Sequence, residues 1–514
     1  MLNTIHTLFP SITKGISVDT TADGKQVFLI IGDSKAAGSN NTGGPGPTPT
    51  ANTVFQWNKN TSQIVQITNT DVLSIAAGQG SPWPQFGITY NSNSGFKPVF
   101  VPMAVAGSKF SQITDTNDWS TAGANYTPAI TQCDACLTSL GLTKPKAILV
   151  RLGVNDIRNA AVLANIYTDM DSLVSRLTAK YPGVPIVFTM IGRNETTAFD
   201  ARNYGVRGKL ISIALNNPDV HIACIEASFI STGMMGADNL HDSLAMGNEV
   251  GRQMAEWFNN GAYSKWGRTI ISSQYEVLTS NRKTLVDNFV TSQINSGRWN
   301  KLELLCFGKT NVKNSIYIDW SMFGYLFDVT SAGWVQNSHI STNGSTTRYG
   351  YTFVPGYNNS RASQNDFIIM TKLKTNNTAS GVLATLFGSG NGTSIISIGQ
   401  NATPNLTYRA NDATLGLYTT EGVFIGGNWY GTGRNPDGGD ANPRKFYKNS
   451  TIIKQDAIAS VTPNTVIPSL GAFNNNGTFS SYINAEFECL FAAQYAGFDI
   501  AAFQTDVDTL LNNW

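Results

Sequence analysis

Charge is scarce in this chain: Asp, Glu, Lys and Arg make up 13% of its 514 residues, against about a quarter in an ordinary soluble protein. The two signs balance to a net charge of +1, and no basic run stands out. No strong field therefore draws the protein to nucleic acid or to an anionic membrane. No apolar stretch is long enough to span a bilayer. The segment Met1 to Lys14 lacks the charged and apolar blocks of a secretory signal, so neither membrane insertion nor conventional secretion is expected. Cysteine is sparse as well. Its five copies are scattered and odd in number, which is no disulfide framework. Cys133 and Cys136 form a C-x-x-C, but inside a helical pattern and with no second pair at metal spacing. They read as small apolar residues on one helix face, and no metal site is expected. Only four histidines occur, His6, His221, His241 and His339, so imidazole chemistry has few places to sit.

Gly, Asn, Ser and Thr take the place of charge. That suits turn-rich β structure, or a rigid extracellular or virion protein. A hydrophobic content of 41% still builds sizeable cores, and a chain this long divides into two or more domains.

The first half alternates two kinds of segment. Val27 to Ile31, Val99 to Val105, Ala147 to Leu152, Ile186 to Ile191 and Val220 to Ile225 are apolar runs, as expected of strands buried on both faces. Tyr126 to Leu140, Val162 to Tyr181, Ala201 to Asn216 and Leu244 to Asn259 read as helices. The alternation predicts a parallel sheet covered on both faces. Asn52 to Asn91 reads as a long irregular insertion that shapes a pocket. Residues 1–262 form this α/β domain, 263–300 a helical link, and 301–514 an all-β sandwich. Its strands are expected over Asp366 to Lys374, Val382 to Phe387, Thr414 to Tyr418, Lys445 to Tyr447 and Phe487 to Ala493, with a closing helix Ile500 to Leu511.

Four short motifs follow the predicted strands. Gly32-Asp33-Ser34 leaves the first strand; a serine there is exposed at the carboxyl edge of the sheet, although the same turn read alone is an ordinary helix cap. Gly107, after the second strand, lets backbone come close to a ligand or simply makes a turn. Asn155, in Gly153-Val154-Asn155-Asp156, brings an amide to the same edge, or caps a helix. Asp238-Asn239-Leu240-His241 precedes the last helix. There the carboxylate accepts from one ring nitrogen and leaves the other for a serine. His221 opens a predicted strand and reads as a locally satisfied residue.

Taken as a set and in this order, the four blocks resemble the SGNH hydrolase superfamily, also called GDSL esterases, over about residues 25–260. The resemblance implies a flavodoxin-like three-layer α/β/α domain. It implies Ser34 as nucleophile, His241 as base and Asp238 as its orienting group. The oxyanion hole would be the Ser34 N–H, the Gly107 N–H and the Asn155 side chain, with no cofactor. Lys35 stands where the GDSL name has Leu. Ala36-Ala37-Gly38 and the stretch Gly80 to Phe86 are similar to the sialate O-acetylesterase and carbohydrate acetylesterase branch, whereas the third block here is shorter than that branch's usual W-x-Q-G-E-x-D. This points to an O-acetyl ester on a sugar. Lys35, Trp83 and Arg193 are then candidate substrate contacts. Trp57 is a second sugar platform or, preferably, core, and Glu195 lines the same edge or lies idle in solvent.

The second half resembles a concanavalin-like, laminin-G-type jelly roll of phage and Bacteroidetes surface proteins. The resemblance rests on Val286 to Phe289 with Trp299 to Leu302, on Thr352 to Asn359, on Lys445 to Asn449 and on Phe503-Gln504-Thr505. It implies glycan binding or packing against other proteins. Trp334, Tyr351, Trp429 and Tyr430 are candidate contacts, and Asp437-Gly438-Gly439-Asp440 is a solvated turn rather than a calcium loop. The combination suggests a phage tail or fibre protein that deacetylates host surface polysaccharide. Its partners would be acetylated glycan and other virion proteins, and a fibre role would favour a homotrimer. Two alternatives stay open: a structural or receptor-binding virion protein with an inactive esterase fold, and a secreted bacterial carbohydrate esterase.

Overall fold

The computed structural model describes residues 20–38, 44–68, 79–112, 116–158, 162–191, 201–225 and 240–273 of the first part of the chain. Further on it describes 278–309, 319–321, 327–330, 333–335, 339–342, 348–351, 362–376, 384–401, 405–412, 414–421, 423–435, 441–462, 469–475 and 478–514. The chain divides into two compact units, Met1–Ala198 with Val206–Ser273, and Gln274–Trp514 with Phe199–Gly205.

Among the described residues the first unit is built on one sheet of seven strands: β1 (Lys25–Gly32), β2 (Phe55–Asn58), β3 (Gln63–Gln66), β4 (Lys97–Pro102), β5 (Ala147–Arg151), β6 (Ile186–Met190) and β7 (Val220–Ile225). Their spatial order is β3-β2-β4-β1-β5-β6-β7, parallel except for the edge hairpin β2–β3. Counted among themselves, the five long-range parallel strands run 2-1-3-4-5, the flavodoxin-like doubly wound order. Their apolar runs are buried almost without a break, because helices flank the sheet. Those helices are α1 (Trp83–Ser94), α2 (Tyr126–Leu140), the short α3 (Val154–Arg158), α4 (Leu163–Lys180), α5 (Ala201–Asn216), α6 (Leu244–Asn259) and α7 (Lys265–Ser272). Helices α1 and α6 meet over an aromatic cluster in which Phe28 of β1 packs edge-on against Phe86, Tyr90 and Phe258, with centroids 5.1–5.7 Å apart. The insertion expected to be irregular supplies, in its described residues, β2, β3 and most of α1.

The second unit holds two sheets. In one, Glu486–Ala493 pairs antiparallel with Leu302–Phe307 and Phe367–Leu373, and Trp429–Arg434, Arg444–Lys448 and Thr451–Asp456 extend it. The other runs through Ala384–Gly390, Ile395–Gln400 and Leu406–Asp412. Tyr408 of the second sheet stacks on Phe446 of the first at 5.1 Å and 7°, so the sheets face one another as a sandwich. Asp412 bonds Arg434 at 3.1 Å and Arg444 at 2.8 Å across the same gap. These charges lie inside because each has a partner. The described residues of 263–300 divide between the two units. Helix α7 buries Trp266 and Ile270 in the first unit. Helix α8 (Ser280–Asn295) joins α9 (Ile500–Asn513) in the second, where Asp506 accepts from Ser292 Oγ and Gln293 Nε2, each at 2.7 Å. Trp429 and Tyr430 are buried, which corrects their reading as ligand contacts: they are core. Trp334 and Tyr351 sit on strands Gly333–Val335 and Arg348–Tyr351. The turn 437–440 lies outside the described residues.

Candidate active site

Strand β1 ends at Gly32, with φ at +151°. A Cβ there would stand 2.1 Å from the Arg151 carbonyl oxygen and 2.6 Å from Ala36 Cβ, so only glycine lets β1 turn this close to β5. The chain then makes a hydrogen-bonded turn rather than entering a helix directly. Asp33 N–H donates to Arg151 O at 3.0 Å, Ala37 N–H to Asp33 O at 3.0 Å, and Lys35 N–H to Asp33 Oδ1 at 3.0 Å. Ser34 rides on the crest of this turn, partly exposed, at the carboxyl end of the central strand. His241 arrives from the other direction, just before Ser243 caps α6 by accepting from Met246 N–H at 3.2 Å. Its Nε2 lies 2.8 Å from Ser34 Oγ, a full hydrogen bond between residues 207 positions apart.

The neighbouring strand ends carry the other two predicted groups. Gly107 follows β4, exposed and with φ at +75°, a left-handed turn that a side chain would strain. Ser108 Oγ donates to Gly32 O at 2.8 Å, tying this turn to the end of β1. Asn155, in the first turn of α3 beyond β5, donates from Nδ2 to Ser108 O at 3.1 Å. The amide therefore sits directly against the Gly107-Ser108 turn. Asp156, completely buried, accepts from Phe110 N–H at 2.9 Å and Ser111 N–H at 3.0 Å. Burial pushes its carboxyl up to about 7; the two N–H bonds oppose the rise and the charge of Asp33 adds to it.

A buried ion cluster underlies the turn. Asp242, next to His241, faces Lys35 Nζ at 3.3 Å and bonds the Arg151 guanidinium, and all three side chains are almost wholly enclosed. Arg151 Nη1 also donates to Lys35 O at 3.0 Å. Burial alone would raise the Asp242 carboxyl, but the charges of Arg151 and Lys35 outweigh it and hold it below the usual carboxylate range. Sequence reasoning passed over Arg151 and Asp242. One signal was available: an arginine closing the apolar run of β5 must find a partner if the strand is buried.

The structure thus brings Ser34 to His241, and Gly107 to Asn155. Asp238 and Arg193 lie outside the described residues, as does Glu195. Two expected substrate contacts are corrected. Trp83 is fully buried and donates from Nε1 to Ala36 O at 2.6 Å, so it braces the serine turn from behind and offers no face to a sugar. Lys35 is buried in its pair with Asp242. Trp57 is core, bonded from Nε1 to Gln132 Oε1 at 2.8 Å. His221 packs 4.8 Å from the Trp257 ring. Burial, helped by the nearby Lys265 and Arg268 charges, pushes it down to about 3, so it stays neutral. Among the described residues no group of three or more His, Cys, Asp or Glu is arranged to hold a metal ion.

No protein-family model matches the sequence, and no curated protein matches it. Solved structures do. A protein of Arabidopsis thaliana is 15% identical over 46% of this chain and 99% of its own, with a TM-score of 0.36. NanS is 12% identical over 46% of this chain and 97% of its own, also at 0.36. An active-site mutant of a family two carbohydrate esterase from Clostridium thermocellum is 13% identical over 47% of this chain and 65% of its own, at 0.30. The chemistry rests on the residues themselves.

Proposed function

We propose that the first unit is a serine esterase that removes O-acetyl groups from carbohydrate. The observation that carries this reading is the 2.8 Å contact between Ser34 Oγ and His241 Nε2 at the carboxyl edge of a doubly wound sheet. In the proposed reaction His241 takes the Ser34 proton as Oγ attacks the ester carbonyl. The Ser34 and Gly107 N–H groups and the Asn155 amide receive the oxyanion. The tetrahedral species collapses, the sugar oxygen leaves with the proton from His241, and the acetyl group stays on Ser34. Water then attacks this ester, with His241 again taking and returning a proton, and acetate leaves. A small acyl group needs only a shallow site, which suits a serine on an open turn.

The sugar substrate comes from the resemblance of the serine turn and its neighbouring block to the carbohydrate acetylesterase branch. The second unit, a β-sandwich, supports a wider reading. In it the protein is a phage tail or fibre component, or another extracellular protein, that deacetylates surface polysaccharide, with the sandwich contacting glycan or neighbouring virion proteins. The test is acetate release from O-acetylated polysaccharides, with an aryl acetate as a simple control. Wild type releases acetate, and Ser34→Ala, with an unchanged circular dichroism spectrum, releases none. Turnover retained in Ser34→Ala overturns the serine mechanism. An inert wild type overturns the enzyme and favours a structural role.

A further inference from the structure

Beneath the serine turn lies a charge cluster that the acyl-transfer chemistry does not itself use. Arg151 touches both residues that flank Ser34: its carbonyl accepts from Asp33 N–H at 3.0 Å, and its Nη1 donates to Lys35 O at 3.0 Å. Its Nη2 bonds Asp242, the residue after His241. Asp242 in turn faces Lys35 Nζ at 3.3 Å. The residue following the nucleophile and the residue following the base are thus joined by one ion pair, and a single guanidinium bridges both. Side-chain exposure is 3% for Lys35, 4% for Arg151 and 2% for Asp242, so water does not screen these bonds.

Stability is a poor reason for such an arrangement. Buried ion pairs give little net stability, because desolvation cancels much of the attraction, and apolar replacements of similar volume often serve as well. What charges do here that apolar groups do not is fix direction. The β1 turn and the segment entering α6 come from distant parts of the chain, and the bonds of Lys35 and Arg151 to Asp242 join them. Together with the Ser34–His241 bond, the cluster ties the two segments through polar contacts.

We propose that Arg151, Asp242 and Lys35 form a positioning clamp that holds Ser34 Oγ and His241 Nε2 at proton-transfer distance. The proposal rests on the reading of Ser34 and His241 as nucleophile and base. None of the three touches substrate; they act through the two residues they flank. Loosening the clamp lowers the rate of each folded molecule and leaves substrate binding alone, since a misplacement of about 1 Å costs on the order of 100-fold.

The experiment uses the full chain with p-nitrophenyl acetate, and reactive serines are counted by titration to completion with a fluorophosphonate. Lys35→Met keeps the Arg151–Asp242 bond and so keeps the fold; its kcat per titrated site falls about 10-fold with KM nearly unchanged, and Lys35→Arg recovers most of the loss. Asp242→Asn, which removes the charge from both links and keeps an acceptor oxygen for only one of them, falls about 100-fold per site. If both variants keep wild-type kcat per titrated site, and lose only melting temperature or the number of titratable sites, the cluster is merely structural and the proposal is overturned. Should Asp242→Asn fail to fold, Lys35→Met and its rescue decide the matter. Ser34→Ala, run in parallel, separates the two failures. A dead Ser34→Ala beside unchanged clamp variants overturns the clamp alone, whereas an active Ser34→Ala overturns the serine reading and the clamp with it.

Discussion

Asp156 ties the stability of the first unit to pH in a direction opposite to that of an ordinary paired carboxylate. Its side chain is fully enclosed and carries the loop after Gly107 on two backbone N–H bonds. Burial pushes its carboxyl from 3.8 to about 7. A carboxyl raised by folding is stabilising while it holds its proton. The contribution is complete below about pH 4, and it is lost as pH rises through about 7. The interval corresponds to about 4 kcal/mol. Asp156→Asn keeps a carbonyl oxygen for one of the two N–H groups and leaves the other unpaired, a cost of about 1–3 kcal/mol at every pH. The variant has no proton to lose. The stability gap between wild type and Asp156→Asn therefore narrows or reverses between pH 4 and 8, by up to about 4 kcal/mol. Urea unfolding at a series of pH values measures it, read by hydrogen-exchange mass spectrometry on peptides from the first 273 residues, which separates this unit from the sandwich. Parallel curves for the two proteins over that range would refute the reasoning, because they would mean that Asp156 is ionised throughout, held so by Phe110 and Ser111.

Two further substitutions test the site from other sides. Gly32→Ala places a methyl group 2.1 Å from a strand-paired carbonyl oxygen that cannot retreat. It should cost about 3 kcal/mol or more, and a melting temperature within about 2 °C of wild type would contradict the close approach of β1 and β5. Asn155→Ala should lower kcat on the order of 100–1000-fold, as expected for loss of one oxyanion donor; unchanged turnover of an aryl acetate removes Asn155 from the reaction.

The sheet of the first unit was legible because a strand covered on both faces has no choice but to be apolar. The expected runs at Val27, Ala147, Ile186 and Val220 coincide with β1, β5, β6 and β7 to within two residues at either end, and α2, α5 and α6 begin and end where the pattern places them. Helix α1 escaped for a physical reason. Its buried positions Trp83, Phe86, Gly87 and Tyr90 do keep helical spacing, but Pro84, Gly87 and the polar NSNS end disguise the stripe. In the sandwich, Leu406–Asp412 and Trp429–Arg434 escaped because buried strands there contain Arg409, Asn411, Asp412 and Arg434, and no local pattern announces which distant charge will neutralise each.

The same blindness to distant pairs explains the misreading of Lys35 at the site. Lys35, directly after Ser34, is expected as a substrate contact, and surface is where a lysine normally belongs. Its partner lies 207 positions away, beside His241. In a chain with so little charge, both Lys35–Asp242–Arg151 and Arg434–Asp412–Arg444 lie inside the protein. A chain that economises on charge and still buries it draws attention to direction rather than solubility. An ion pair with two fixed ends constrains geometry where an apolar contact of equal area permits sliding. In the sandwich, that constraint sets one sheet against the other. At the serine turn it falls one residue from Ser34 and one from His241, the two side chains proposed to exchange a proton.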